Sequence, residues 1–127
     1  MNNIGDISEN CLTINQIDNT ILNFKQLLKS NNSIIFKNCK NLDINFDNTI
    51  NKLIFNNCEH IKLQITKTIF GIEINKSNNI EIKVKFSDPI YNLTLENSKN
   101  ISLLIRNKNN MLLNVDKKST LKIHSDP

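Results

Sequence analysis

Apolar and polar residues alternate along two short stretches that flank a polar turn, and this unit recurs along the chain. In one copy, Leu53 and Phe55 come before the turn, and Ile61 and Leu63 come after it. A two-residue period is typical of β-strands, whereas a helix would repeat its apolar positions about every 3.6 residues. Each copy is therefore predicted to be a strand, a turn and a second strand.

A small residue marks the centre of each turn, and the spacing of these centres indicates the architecture. The centres are Cys39, Cys58, Ser77 and Ser98, at intervals of 19, 19 and 21 residues. Repeats of this length form single coils of a stacked solenoid. One coil cannot bury its apolar row alone, so coils stack and remove that row from water. The pattern predicts an all-β, parallel β-helix of about five to six two-stranded coils.

Further copies are predicted at both ends of the chain. Lys118 takes the centre of a late copy, and Asn19 takes the centre of a less regular early one. No linker rich in Gly, Pro or Ser divides the chain. We therefore expect a single β-helix domain over residues 1–127, with a capping coil at 1–32 and regular coils at 33–124.

Asparagine is predicted to replace glycine at the corners, because the chain contains only 2 Gly. Asn is the non-glycine residue best suited to a left-handed backbone, and stacked Asn side chains form hydrogen-bonded ladders. Codon drift in an AT-rich genome is an alternative source of the Asn excess, but it does not explain the placement at corners. The corner residues are Asn38, Asn41, Asn57, Asn78, Asn79, Asn97 and Asn100.

The chemistry-bearing residues favour neither a metal site nor catalysis. Cys11, Cys39 and Cys58 are odd in number and lack paired-ligand spacing. Cys39 and Cys58 occupy the slot that serine fills in other copies, which favours a small side chain at a crowded corner. Stacked neighbours would bring them within reach of a strained disulfide. No outward column carries carboxylates on adjacent coils, so we expect no catalytic residue, no metal and no cofactor.

The chain shows no signal for membrane insertion or secretion. No apolar run approaches the roughly 18 residues that span a bilayer, and the first residues lack the charged and apolar regions of a secretion signal. We expect a cytoplasmic protein without membrane contacts.

A row of basic residues is predicted on the outward face of the second strands, at Lys62, Lys83, Lys85 and Arg106. Two interpretations stay open. The row is a solvated face that keeps a thin sheet protein in solution, or it is a docking surface for an acidic partner, in keeping with a net charge of +4. Nucleic acid is disfavoured because no aromatic residue interleaves the row.

The two ends of a stacked fold expose unpaired backbone groups. Residues before about Ser30 are available to cap one end, whereas little follows Ile123 at the other. We expect self-association, or a partner, at the C-terminal coil.

The register of the repeat and several short segments of the sequence resemble the C-terminal β-helix domain of cyclase-associated protein, an actin-monomer-binding factor. The likeness is best over residues 33–47, where that family has a similar apolar pair, an Asn-Cys-Lys turn and a returning strand, and it continues through 71–77 and 89–98. The resemblance implies a right-handed helix of two-stranded coils that binds ADP-loaded actin monomers and helps their nucleotide exchange. The arginine-finger signature of the related tubulin cofactor C is missing around Arg106.

In that family, dimers form by exchange of a C-terminal hairpin arm, and this chain stops about where the arm would begin. Two functions are therefore expected as alternatives. The first is an actin-binding module that uses the basic row. The second is a structural β-helix protein that self-assembles without binding actin.

Overall fold

The computed structural model describes residues 6–8, 11–24, 33–66, 68–85, 92–106 and 111–125, and the regular structure within these ranges is β-strand throughout. No helix able to cross a membrane occurs in them. The strands are β1 (Asp6–Ser8), β2 (Cys11–Asn15), β3 (Asp18–Phe24), β4 (Ser33–Lys37), β5 (Lys40–Phe46), β6 (Ile50–Asn56), β7 (Glu59–Ile65), β8 (Thr68–Asn75), β9 (Asn78–Val84), β10 (Asn92–Glu96), β11 (Lys99–Ile105), β12 (Leu112–Val115) and β13 (Leu121–Ser125).

The strands form two sheets that face each other. Sheet A has the order β1-β2-β4-β6-β8-β10-β12, and sheet B has the order β13-β11-β9-β7-β5-β3. Apart from the antiparallel pair β1–β2, all neighbours are parallel. Each even-numbered strand and the strand after it form one coil, from coil 1 (β2, β3) to coil 6 (β12, β13). The described residues thus form a β-solenoid of six two-stranded coils, and the predicted all-β, parallel β-helix of about five to six coils is confirmed.

The core is a single apolar layer between the two sheets. In β7, Ile61, Leu63 and Ile65 are buried, whereas Lys62 and Gln64 are exposed. The same alternation holds in the strands of coils 1 to 5, as the two-residue period of a strand requires. The inward rows predicted from the sequence are therefore the core.

Because the strands pair in parallel and in register, side chains of the same type from successive coils stack on one another. Phe36 and Phe55 are register partners whose rings stack at 5.0 Å, and the rings of Phe24 and Phe46 stack at 4.6 Å. Aromatic pairs of this kind add about 0.5–1.5 kcal/mol beyond the apolar area that they bury. These stacks fix the register of coils 1 to 3.

The corners of coils 1 to 5 each contain two residues with a left-handed backbone. One precedes the central residue and the other lies two positions after it, with φ between 49° and 57°. Asparagine has the role predicted for it at six of the seven selected positions, whereas Asn78 begins β9 with an ordinary backbone. The ten residues are Gln16, Asn19, Asn38, Asn41, Asn57, His60, Lys76, Asn79, Asn97 and Asn100.

Gly71 allows a close approach between two coils. Its φ is 100°, and a Cβ atom at this position would lie 2.1 Å from the carbonyl oxygen of Asn92. The register of β6 against β8 also shifts between Ile50 and Lys52. Only a residue without a side chain allows the backbone of Asn92 to pack here.

The first coil is centred on Ile17 and not on Asn19. Asp18 pairs with Lys40, so Ile17 has the position that Cys39 has in the next coil. The predicted centre was wrong because Asn19 has the second left-handed position of the corner. Residues 25–32 lie outside the described ranges, so the boundary at residue 32 and the single domain over 1–127 stay predictions.

The last coil is centred on Ser119 and not on Lys118. The N–H of Thr120 donates to the carbonyl oxygen of Ser98 at 2.9 Å, as the residue after the centre does in earlier coils. The hydroxyl of Ser119 accepts the N–H of Ser98 at 3.0 Å. A lysine cannot supply this acceptor, because its ammonium group only donates.

Candidate partner-binding surface

The outer face of sheet B carries outward side chains that line up in rows along the stack, because its strands pair in register. Two such rows are made by residues within the strands, and further residues lie just beyond the strand ends. The first row contains Ile21, Asp43, Lys62, Glu81, Ser102 and Lys122, and the second contains Asn23, Asn45, Gln64, Lys83, Leu104 and His124.

Lys62 lies between two carboxylates of the first row. Asp43 is its neighbour in the preceding coil, and Glu81 is its neighbour in the following one. Neighbouring strands are about 4.8 Å apart, so these charges alternate within reach of one another. The first row is therefore a mixed-charge surface.

Lys85 is held by an ion pair that reaches back across two coils. Its Nζ atom lies 2.8 Å from Oδ1 of Asp47 and donates to the carbonyl oxygen of Phe46 at 3.4 Å. Only 23% of the Lys85 side chain is exposed. A pair of this exposure adds about 0–1 kcal/mol to stability. Lys85 therefore braces the surface and offers a partner little free charge.

Lys83 and Arg106 complete the predicted basic group. The side chain of Lys83 is exposed, and its two neighbours in the second row, Gln64 and Leu104, are uncharged. Arg106 is exposed directly after β11. The structure thus places the four residues on or beside one face, in different rows and with different degrees of neutralisation.

Two shallow grooves run between the rows of sheet B. One, of about 560 Å³, lies between corner side chains such as Asn41 and His60 and first-row side chains such as Lys62. The other, of about 620 Å³, lies between the first and second rows and includes Lys83 and His124. Both present amides, carboxylates and ammonium groups, which suit a polar protein surface.

A column of small buried side chains supports the corner from inside. Cys39, Cys58, Ser77 and Ser98 are at most 2% exposed, which confirms the prediction of a crowded slot. The hydroxyl of Ser77 accepts the N–H of Cys58 at 3.0 Å, and the hydroxyl of Ser98 accepts the N–H of Ser77 at 3.1 Å. From coil 3 to coil 6, each coil is thereby hydrogen-bonded to the next through its central residue.

Cys39 and Cys58 are free thiols within this column. The neighbouring Cys58 side chain lowers the pKa of Cys39 to about 7, and the Cys39 side chain, together with burial, raises the pKa of Cys58. Reactive thiols need partial exposure, which these two lack. In the part of the chain that the structure describes, no three His, Cys, Asp or Glu side chains are placed to hold a metal ion.

The C-terminal coil leaves apolar side chains open to solvent. Leu113 and Val115 are 40% and 41% exposed, although their register partners Leu93 and Leu95 are buried. Leu112 is exposed as well. The end of the stack thus presents an apolar strand edge.

A second basic surface was missed by the sequence reasoning. We define the corner ridge as Lys76, Lys99, Lys117 and Lys118, which lie at the corners of coils 4 to 6 and are exposed. Counting outward positions along the strands missed them, because they flank the central residues. Applying the same count to the corner positions would have found them.

Comparison with known proteins relates coils 1 to 5 of the solenoid to one family. The family described as "Adenylate cyclase associated (CAP) C terminal" matches residues 6–110. The crystal structure of cyclase-associated protein from Cryptosporidium parvum is similar with a TM-score of 0.82 at 14% identity, covering 94% of this chain and 73% of that chain. At this identity the likeness shows the fold alone. No curated protein sequence matches the chain.

Proposed function

Because the chain belongs to the family of C-terminal domains of adenylate cyclase-associated proteins, we propose that it is a non-enzymatic module that binds actin monomers through the outer face of sheet B. The family match confirms the resemblance seen in the sequence. That match, over residues 6–110, is the observation that carries the proposal. In this proposal the chain acts in the cytoplasm, where actin monomers are found, and uses no cofactor.

The contacts proposed for the acidic partner are Lys62, Lys83, Lys85 and Arg106. Lys83 is given the leading role because its row neighbours are uncharged. Lys62 is better suited to a partner that presents both signs of charge, since Asp43 and Glu81 flank it. Lys85 lies directly after β9, and it is proposed to act mainly by holding this end of the surface in place through its ion pair with Asp47.

The energetic effect of such contacts is chiefly on association rate and orientation. Exposed charges steer an oppositely charged partner and set the register of docking, while each adds little to affinity. The grooves beside Lys62 and Lys83 add shape to this surface. The proposal therefore predicts binding that weakens as salt concentration rises.

The direct test measures binding to purified ADP-actin monomers and release of a fluorescent nucleotide from them. The unchanged chain is expected to bind at micromolar concentration and to speed release. The variant Lys83→Glu replaces this weak attraction by like-charge repulsion, so it is expected to bind about tenfold more weakly. The control is Lys37→Glu, the same charge change at an exposed position of sheet A. No binding by the unchanged chain, or equal losses in both variants, would contradict the proposal.

The second candidate function is self-assembly through coil 6, with no actin binding. The exposed side chains of Leu112, Leu113 and Val115 favour it, because apolar strand edges pair with other chains. Sedimentation at rising concentration tests it. Association that Val115→Lys abolishes would support self-assembly, and a monomer at all concentrations would reject it.

A further inference from the structure

The two halves of the corner edge differ in charge. The corners of coils 4 to 6, at residues 75–79, 96–100 and 116–120, contain four lysines and two carboxylates, Glu96 and Asp116. The matching corners of coils 1 to 3, at residues 15–19, 37–41 and 56–60, contain two lysines and two carboxylates. The C-terminal half of the edge thus has a net charge of +2, whereas the N-terminal half has none, and Lys40 there has carboxylates as its register neighbours, Asp18 and Glu59.

One of the two carboxylates in that half is engaged within the protein. Asp116 accepts the N–H of Asn97 at 2.9 Å and the hydroxyl of Ser119. These bonds, the Ser119 hydroxyl first, lower the pKa of Asp116. The carboxylate therefore serves the corner itself. Among the described residues, no lysine of the corner ridge forms an ion pair with Asp116 or with another carboxylate.

Lys76 occupies a backbone position that disfavours lysine. Its φ is 50°, and the equivalent residues in coils 2, 3 and 5 are Asn38, Asn57 and Asn97. Asn57 and Asn38 are joined by a side-chain hydrogen bond of 2.7 Å, and lysine at position 76 cannot continue that amide ladder. A non-glycine residue in the left-handed region costs about 1 kcal/mol or more. Such a cost is typically retained where the side chain has a role.

Lys76 and Lys99 flank a cavity of about 360 Å³ whose other lining residues are Asn78 and Asn97. Two ammonium groups and two amide groups offer many donors in a small space. Carboxylates are acceptors that such donors bind well. The cavity is large enough for an acidic side chain and not for a folded element.

We propose that the corner ridge docks an acidic segment of a partner protein, with a carboxylate seated between Lys76 and Lys99. The inference rests on the proposed function in that the segment belongs to the same partner that meets sheet B. A protein segment is favoured over nucleic acid because residues 75–79, 96–100 and 116–120 contain no aromatic side chain for base stacking. Glu96 also interrupts the ridge, which disfavours a continuous polyanion.

The first test uses a fluorescent deca-glutamate peptide and the full chain, measured by anisotropy. The double variant Lys76→Glu, Lys99→Glu is expected to lose at least tenfold in affinity for the peptide. The control Lys37→Glu, Lys40→Glu makes the same charge change at the corner of coil 2 and is expected to lose less than about threefold. Equal losses, or no binding of the peptide by the unchanged chain, would overturn the inference.

Two further arms separate the ridge from the proposed function and from other polyanions. With ADP-actin monomers, binding that both double variants retain would leave the proposed function intact and overturn the ridge. Tighter binding of oligo-thymidine or of phosphatidylserine vesicles than of the peptide would also overturn it. Lys76→Asn introduces the residue that coils 2, 3 and 5 have at this position, so it is expected to raise the melting temperature while it weakens peptide binding. If Lys76 had only a structural role, Lys76→Asn would change the melting temperature without weakening peptide binding.

Discussion

Coils 5 and 6 have the same alternation of residues and the same parallel pairing, yet only one of them is buried. Leu93 and Leu113 are register partners, with exposed fractions of 0% and 40%. Among the described strands, coil 5 has a coil on each side, whereas coil 6 has one on one side only. Burial in this fold is therefore a property of the neighbour as much as of the coil itself.

The largest expected effect comes from truncating the paired leucines. Leu93→Ala is expected to lower the free energy of unfolding by about 2–5 kcal/mol, because it leaves a cavity in the closed core. Leu113→Ala is expected to lower it by less than about 1 kcal/mol, because that side chain is already partly in water. Denaturant titration of both variants measures the contrast. Equal losses would show that coil 6 is covered in solution.

A smaller loss is expected at Gly71, inside the closed part of the stack. Gly71→Ala is expected to destabilise by more than about 1 kcal/mol, because the new Cβ atom meets the Asn92 carbonyl and φ is positive. The control is Ser102→Ala, on the outer face of coil 5, for which a change within about 0.5 kcal/mol is expected. Thermal unfolding compares them. A neutral Gly71→Ala would show that the two backbones do not approach as closely as described.

The column of central residues gives the next comparison. Ser98→Ala removes the acceptor of the Ser77 N–H and a donor to the carbonyl oxygens of Ile74 and Glu96, so a loss of about 1–3 kcal/mol is expected. Ser119→Ala acts on the same kind of bond at the open end, where water replaces the lost partner, and a loss below about 1 kcal/mol is expected. Hydrogen exchange of the Ser77 and Ser98 amides reads each bond directly. Equal protection losses would contradict the contrast.

The smallest effect concerns pH at the last corner. The pKa of Asp116 is lowered in the folded state, so its contribution to stability is present above the ordinary carboxyl value of 3.8 and is lost as pH falls through the folded value. The melting temperature of the unchanged chain should therefore exceed that of Asp116→Asn near neutral pH and approach it in acid. A difference that persists in acid would assign the effect to something other than ionisation.

The inward rows, the corner asparagines and the crowded slot follow from local pattern, which is why they could be predicted. The period of two and the interval of about nineteen residues determine which side chains face inward and how coils align. The centre of coil 6 could not be found in this way, because Lys118 satisfies the apolar spacing whereas a hydrogen bond selects Ser119. In coil 1 the apolar spacing fits Ile17, but Ile17 lacks the small side chain expected at a centre.

The surface was harder to predict because charge depends on neighbours in other coils. Sequence places Lys62, Lys83, Lys85 and Arg106 on one side, but the reach of Lys85 back to Asp47 crosses two coils and has no local signal. The corner ridge was missed for a different reason, because the outward positions were counted along the strands and not at the corners. Rows are readable from a repeat, whereas neutralisation within a row requires the stacked structure.

The column of central residues has a consequence for how such domains change in length. Between coils 3 and 4, 4 and 5, and 5 and 6, the central N–H of one coil donates to the central serine hydroxyl of the following coil, so these three junctions are alike. A duplicated or deleted coil would find a matching junction on both sides. Variation in domain size within this architecture can therefore proceed by whole repeats, without redesign of the residues that join them.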